Sequence, residues 1–193
     1  MKKLLRCLCL AGLIVSLSGC LTVEQPVRYP NVVTQRAPSE ADFPQQVAEF
    51  ARGDLIEYAP GGIDESVGYN AINMGSVVVT IYTYRRPGQA LDLAQEFARV
   101  QAELRYAHPQ ASLRESTEET FKRGGKSYRV LRASYNFSGP FAGTMTPLYS
   151  ESLVLVSNDH YVAVRMSTPE GNEKVARLRL GRLLAGVNWT AWP

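Results

Sequence analysis

Val77-Val78-Val79-Thr80-Ile81-Tyr82 is apolar at both parities. A strand with one wet face alternates apolar and polar residues, whereas a strand covered on both faces reads as a continuous β-branched run. The stretch is therefore expected near the centre of a sheet. Ser66 to Ile72 reads as the strand before it, joined through Asn73-Met74-Gly75, a three-residue connection containing glycine that signals a hairpin. Further upstream, Leu55 to Tyr58 is a short strand closed by Pro60-Gly61-Gly62. Gln45 to Arg52 reads as two helical turns, with Val47, Phe50 and Ala51 on one side and Gly53 placed to stop them.

Downstream, Pro87-Gly88 breaks the central strand and the period changes. Leu93, Phe97, Val100 and Leu104 recur at helical spacing, Asp92, Glu96, Arg99, Glu103 and Arg105 take the other sides, and His108-Pro109 ends the helix. Leu113 to Arg123 and Lys126 to Phe137 read as strands around the two-residue turn Gly124-Gly125. Leu148 to Ser157 and His160 to Ser167 form a second hairpin around Asn158-Asp159, whose side chains tolerate positive φ. Ser138 to Pro147, with two glycines and two prolines, is expected to be an exposed loop. Thr168-Pro169-Glu170 reads as the N-cap and first turn of a last helix, with Ala176, Leu180, Leu183, Leu184 and Val187 as its buried stripe and Gly186 as its stop. The expected fold is α+β, an antiparallel sheet flanked by helices.

The order of these elements, strands, one long helix, antiparallel strands and a C-terminal helix, is similar to that of the PsbP-like α/β/α sandwich, including the DcrB-like domains of envelope lipoproteins. The likeness covers about Asp54 to Trp189 and is architectural. It implies accessory or assembly roles and protein contacts, and it supplies no site residue.

The N-terminus carries a separate message. Lys2, Lys3 and Arg6 precede an uncharged run of 11 residues, Cys7 to Leu17, then Ser18, Gly19 and Cys20. That is the charged start, short apolar middle and small-residue cleavage site of a signal segment, and the run falls well short of the roughly 20 residues that a spanning helix needs. Leu17-Ser18-Gly19-Cys20 resembles the lipobox of bacterial lipoproteins. The resemblance implies a diacylglycerol thioether on Cys20, cleavage between Gly19 and Cys20, and acylation of the freed amine. Several chains on one residue make a durable anchor, since each buried methylene contributes about 0.8 kcal/mol. In such lipoproteins an aspartate after the cysteine retains the chain at the inner membrane. Leu21 stands there instead, and implies the periplasmic face of the outer membrane rather than the inner one. The expected organisation is a signal peptide over 1–19, a lipidated Cys20 with a tether over 20–44, and one domain over 45–193. Pro26, Pro30, Pro38 and Pro44 mark the tether, which as a flexible coil would span about 25 to 30 Å. An edge strand over Val27 to Val33 is the alternative.

The formal net charge of +3 is carried by Lys2, Lys3 and Arg6, so the mature chain is nearly neutral. That argues against nucleic acid as a partner, which calls for a basic excess. Cys7 and Cys9 leave with the signal, and an internal disulfide leaves with them. His108 and His160 stand without metal-ligand spacing, no Gly-x-Ser-x-Gly elbow surrounds Ser138, and the only mature cysteine is the acylated one. Glu118 and Glu119 are adjacent on a strand and point to opposite faces. Gly124-Gly125-Lys126 sits between strands, where a phosphate loop requires a helix. Tyr82 to Arg86 reads as a strand end with solvated arginines, and Lys174, Arg177, Arg179 and Arg182 as a solvated helix face.

No catalytic residue, cofactor or metal is expected. The expected role is a membrane-anchored periplasmic interaction or assembly module without enzymatic activity. Its partner contacts would lie at Phe141 and Met145 in the Ser138 to Pro147 stretch, and at Trp189 and Trp192 in the tail. The alternative is a small-molecule or lipid carrier with a pocket between sheet and helix, using Tyr82, Tyr135 and Tyr149 as polar handles.

Overall fold

The structure, a computed structural model, describes residues 34–36, 42–59, 64–71, 76–85 and 92–188. In chain order the elements are β1 (Thr34–Arg36), β2 (Gln46–Val47), β3 (Phe50–Ala59), β4 (Asp64–Ala71), β5 (Val77–Tyr84), α1 (Leu93–Ala107), β6 (Ser112–Arg123), β7 (Lys126–Phe141), β8 (Thr144–Ser157), β9 (His160–Pro169) and α2 (Glu173–Gly186). The strands form one sheet in the order β1-β3-β4-β5-β9-β8-β7-β6, with β2 also pairing β3. Every pairing is antiparallel.

The expected α+β sandwich is corrected by this arrangement. Nine strands in a single sheet make up most of the described chain, against two helices of 15 and 14 residues, so the fold is dominated by sheet. Three segments account for the difference. Gln45 to Arg52 is not helical: Val47 pairs Phe50 across a tight turn in which Ala48 takes φ 49°. Apolar residues three apart mark one side of a helix and equally the two flanks of a two-residue turn, and no glycine or asparagine announced the positive φ. Ser138 to Pro147 is not a loop but the continuation of β7 into β8, turning at Ala142-Gly143 with φ 48° and 84°. Its prolines are tolerated because β6 ends opposite Asn136 and β9 ends opposite Leu148, leaving only one neighbouring strand at Pro140 and at Pro147. Thr168 and Pro169 belong to β9: the buried Thr168 hydroxyl donates to the Ser76 carbonyl at 3.2 Å, Gly171 turns the chain at φ 90°, and α2 starts at Glu173.

Other readings hold. β5 lies between β4 and β9, with Val77, Val79 and Ile81 buried on one face. On the other face Tyr84 is buried while Val78 is exposed, so that face is covered only toward the Tyr84 end. The Gly124-Gly125 and Asn158-Asp159 turns form with positive φ at Gly124, Gly125 and Asn158. Both helices bury the expected stripes, on opposite faces of the sheet. Phe97, Leu104, Leu93 and Val100 of α1 pack with Tyr84, Ala133, Tyr135, Val154, Tyr161 and Ala163. Ala176, Leu180, Leu183 and Leu184 of α2, and Val187 just past its end, pack with Phe50, Val67, Tyr69, Val79, Ile81, Val162 and Val164. Asp92 caps α1, its carboxylate accepting from the Ala94 and Gln95 N–H groups at 3.0 Å each. The sheet also takes in part of the stretch read as tether: β1 pairs β3, and Phe43 is buried in the core.

Candidate functional site

Two features emerge from this topology. The first is a ribbon. From Ser138 to Pro147, β7 and β8 pair only with each other among the described residues, so both edges carry backbone groups without a ladder partner there, apart from the Pro147 carbonyl, which accepts from the Glu170 N–H at 3.0 Å. Gly139 keeps the ribbon thin, for a Cβ there would meet the Phe137 ring at 3.2 Å and Leu148 at 3.3 Å. His108, the C-cap of α1, stacks on Phe137 at a centroid distance of 4.0 Å and braces the base. Met145 is 70% exposed near the tip. Phe141, expected beside it as an exposed contact, is instead half-buried against the α1-face core.

The second feature is a charged cleft on the α2 face. The register of β6 on β7 slips between Leu113 and Glu115. Strand alternation would send Arg114 and Glu115 to opposite faces; the bulge brings both to the cleft. Ser134, Tyr149, Glu173, Lys174 and Arg177 complete the lining of a solvent-open cleft of about 490 Å³. The Arg114 and Arg177 guanidinium carbons lie 5.3 and 5.8 Å from the centroid of the Tyr149 ring, close enough for cation–π attraction.

Beneath the cleft lies an ionic network. Glu151, almost fully buried, accepts from Arg132 Nη1 at 3.1 Å, and also from Arg177 Nε and the Tyr149 hydroxyl. Arg132 continues to Glu119 at 2.7 Å and Glu115 at 3.4 Å, and Arg177 Nη2 donates to the Tyr149 oxygen at 2.7 Å. Burial and then the Glu151 carboxylate push the Tyr149 hydroxyl above the ordinary phenol range. Burial pulls the Arg177 guanidinium down, but the hydrogen bonds and charge attraction from Glu151 and Tyr149 together outweigh this and hold it above its usual value. On the opposite face a smaller network forms: the Tyr84 hydroxyl donates to the buried Glu96 at 2.7 Å, and Arg99 bonds the same carboxylate. Glu96, which its spacing places off the apolar stripe of α1, is buried nonetheless.

The remaining predicted residues fall as follows. Gly19, Cys20, Trp189 and Trp192 lie outside the described residues. Tyr82 and Tyr135 face α1, the latter donating to Gln101 at 2.8 Å, while Tyr149 faces α2, so the three do not line one pocket. The space between α2 and the sheet is a slot of about 60 Å³, against the roughly 300 Å³ or more of a ligand pocket. Glu118 and Glu119 do point apart, the first to Arg129 at 2.7 Å and the second to Arg132. His160 is buried and accepts at Nε2 from Arg85 Nε at 3.1 Å, with Asp159 2.8 Å from its Nδ1. Among the described residues no group of three or more His, Cys, Asp or Glu is placed to hold a metal ion. The basic residues of α2 are not simply solvated: Arg179 meets Glu49 at 3.0 Å and Arg177 meets Glu151.

The cleft was missed because its lining depends on register. Arg114 gave no sign of a bulge, and the Arg132–Glu151 pair spans strands whose alignment only the ladder fixes. A charge inside each of two apolar strand runs was the available signal. Compared with known proteins, the chain matches no family model and no curated protein sequence.

Proposed function

We propose that the chain is a lipoprotein held by an acylated Cys20 at the periplasmic face of the outer membrane, whose sheet domain docks a protein partner and carries no enzymatic activity of its own. The charged, apolar and small-residue sequence ending at Cys20 supports the anchor. The observation that carries the docking role is the β7–β8 ribbon: it extends past β6 and β9, offers two strand edges for main-chain pairing, and presents Met145 to solvent. Thr144 and Thr146 hydroxyls bond each other at 3.3 Å and hold the tip polar around that methionine. Trp189 and Trp192, beyond the end of α2, are the second proposed contact.

A photocrosslinking residue in place of Met145, introduced in living cells, tests this. The expected result is one discrete adduct with an envelope protein, absent when the crosslinker replaces Lys122 on β6. Uncrosslinked monomer alone under several growth conditions would overturn the docking role.

A further inference from the structure

The cleft on the α2 face lies apart from the docking ribbon and gathers basic side chains from distant parts of the chain. Its three cations come from two separate elements, Arg114 from β6 and Lys174 and Arg177 from α2, and the β6 bulge is what brings the first to the other two. The two arginines flank one aromatic ring, Tyr149, whose face orients both guanidinium groups, and Arg177 also donates Nη2 to its hydroxyl oxygen at 2.7 Å. The acids nearby are paired with these same cations and with Arg132, Arg114 meeting Glu173 at 3.2 Å and Arg177 meeting Glu115 and Glu151, so an anion shares the two arginines with them and has Lys174 as its third contact. Glu173 is held below the ordinary carboxylate range by its own backbone N–H first, and by the Gly171 N–H and Arg114. Glu115 lies at 3.4 and 3.5 Å from Arg132 and Arg177, and the buried Glu151 is shared by Arg132, Arg177 and Tyr149. The lining thus carries three cations against two acids around about 490 Å³, a volume within the ordinary range for small-molecule sites.

We propose that this cleft binds a phosphate-class oxyanion, gripped by Arg114, Lys174 and Arg177. Planar guanidinium groups match the paired oxygens of such an anion, and an ammonium adds an adaptable third contact. The volume exceeds that of a bare phosphate and accommodates the body of a phosphorylated small molecule or the head of a phospholipid, two sources of one chemistry. The site stands apart from the docking role, and either can fail without the other.

The test uses the whole mature chain with Cys20→Ser, which retains every described residue. Inorganic phosphate is titrated at constant ionic strength against chloride, with the arginine side-chain N–H signals followed by NMR. In parallel, the chain is sedimented with vesicles of phosphatidylcholine alone or mixed with phosphatidylglycerol. Saturable shifts at Arg114 and Arg177 with phosphate assign a soluble ligand, and capture only by the phosphatidylglycerol vesicles assigns a lipid headgroup. In either case Arg114→Gln and Lys174→Gln each weaken binding by about tenfold or more, while Arg129→Gln, on the opposite face, leaves it unchanged. Both substituted residues are exposed, and unchanged thermal unfolding confirms that the fold is intact. No saturable response in either arm, a response that chloride reproduces, or binding indifferent to Arg114→Gln and Lys174→Gln would overturn the proposal.

Discussion

Replacing Arg132 with methionine removes the cation at the centre of the α2-face network while keeping a side chain of similar reach. Glu151, 2% exposed at its side chain, then retains Arg177 alone as an ionic partner among the described residues, and Arg177 is itself 40% exposed. Breaking a buried pair by removing one partner costs about 3 to 5 kcal/mol. Part of this is offset, because Arg132 Nε is buried without a hydrogen-bond partner among the described residues, and releasing such a group regains about 1 to 3 kcal/mol. The expected net loss is about 2 to 3 kcal/mol, a fall in Tm of roughly 5 to 10 °C for a domain of this size. Adding Glu151→Leu should restore most of that loss, since an apolar replacement of a whole buried pair is close to neutral. Urea denaturation of the single and double variants, analysed as a cycle, measures the coupling. An Arg132→Met cost below about 1 kcal/mol, or a double variant as weak as the sum of its singles, would refute the reasoning.

Further outcomes follow from other parts of the structure. Burial and then Arg85 hold His160 below its ordinary range, and burial and then Arg165 do the same for His108. The stability from keeping these rings neutral is therefore complete above about pH 6.5 and lost as pH falls through the depressed folded values. Urea midpoints should drop between pH 7 and 5, and a His108→Gln, His160→Gln double variant should show a shallower drop; an equal slope in both proteins contradicts the assignment. Gly186→Ala should destabilise despite alanine's helix preference of about 1 kcal/mol, because the new Cβ would stand 2.3 Å from Val47 Cγ1. Adding Val47→Ala opens that space, so the double variant should show no further penalty from the alanine at 186, and a penalty that persists would show that the contact is not the cause. Met145→Glu should change stability by no more than about 0.5 kcal/mol, as for exposed positions generally, and still reduce recovery of the docking partner.

The parts of the fold legible from the sequence were those whose signal is local and periodic. The apolar run Val77 to Tyr82 marked a strand that the structure places between β4 and β9, and the Leu93, Phe97, Val100, Leu104 stripe gave the α1 face that packs on the sheet. Gly-Gly and Asn-Asp marked the turns at positions 124–125 and 158–159 because positive φ favours those residues. What was not legible depended on distant strands. Val47 and Phe50 satisfy a helical spacing and a hairpin equally well, and Ala48 hides the turn. Pro140 and Pro147 suggest a loop unless one knows that the neighbouring strands end before reaching them. Glu96 stands off the apolar stripe of α1, and its burial shows only once Tyr84 and Arg99 are placed against it. These choices together turned a sheet-dominated chain into an expected sandwich. The candidate cleft was hidden for the same reason, since a one-residue slip in β6 decides where Arg114 points.

The central claim is that the domain is fixed to a membrane through Cys20, and the intact mass of the chain purified from its native membrane fraction tests it most directly. The account predicts a polypeptide beginning at Cys20 and heavier than its sequence by a diacylglycerol and one further acyl chain, with the addition lost in Cys20→Ser. A mature chain of bare sequence mass, or one cleaved elsewhere with Cys20 unmodified, would contradict it.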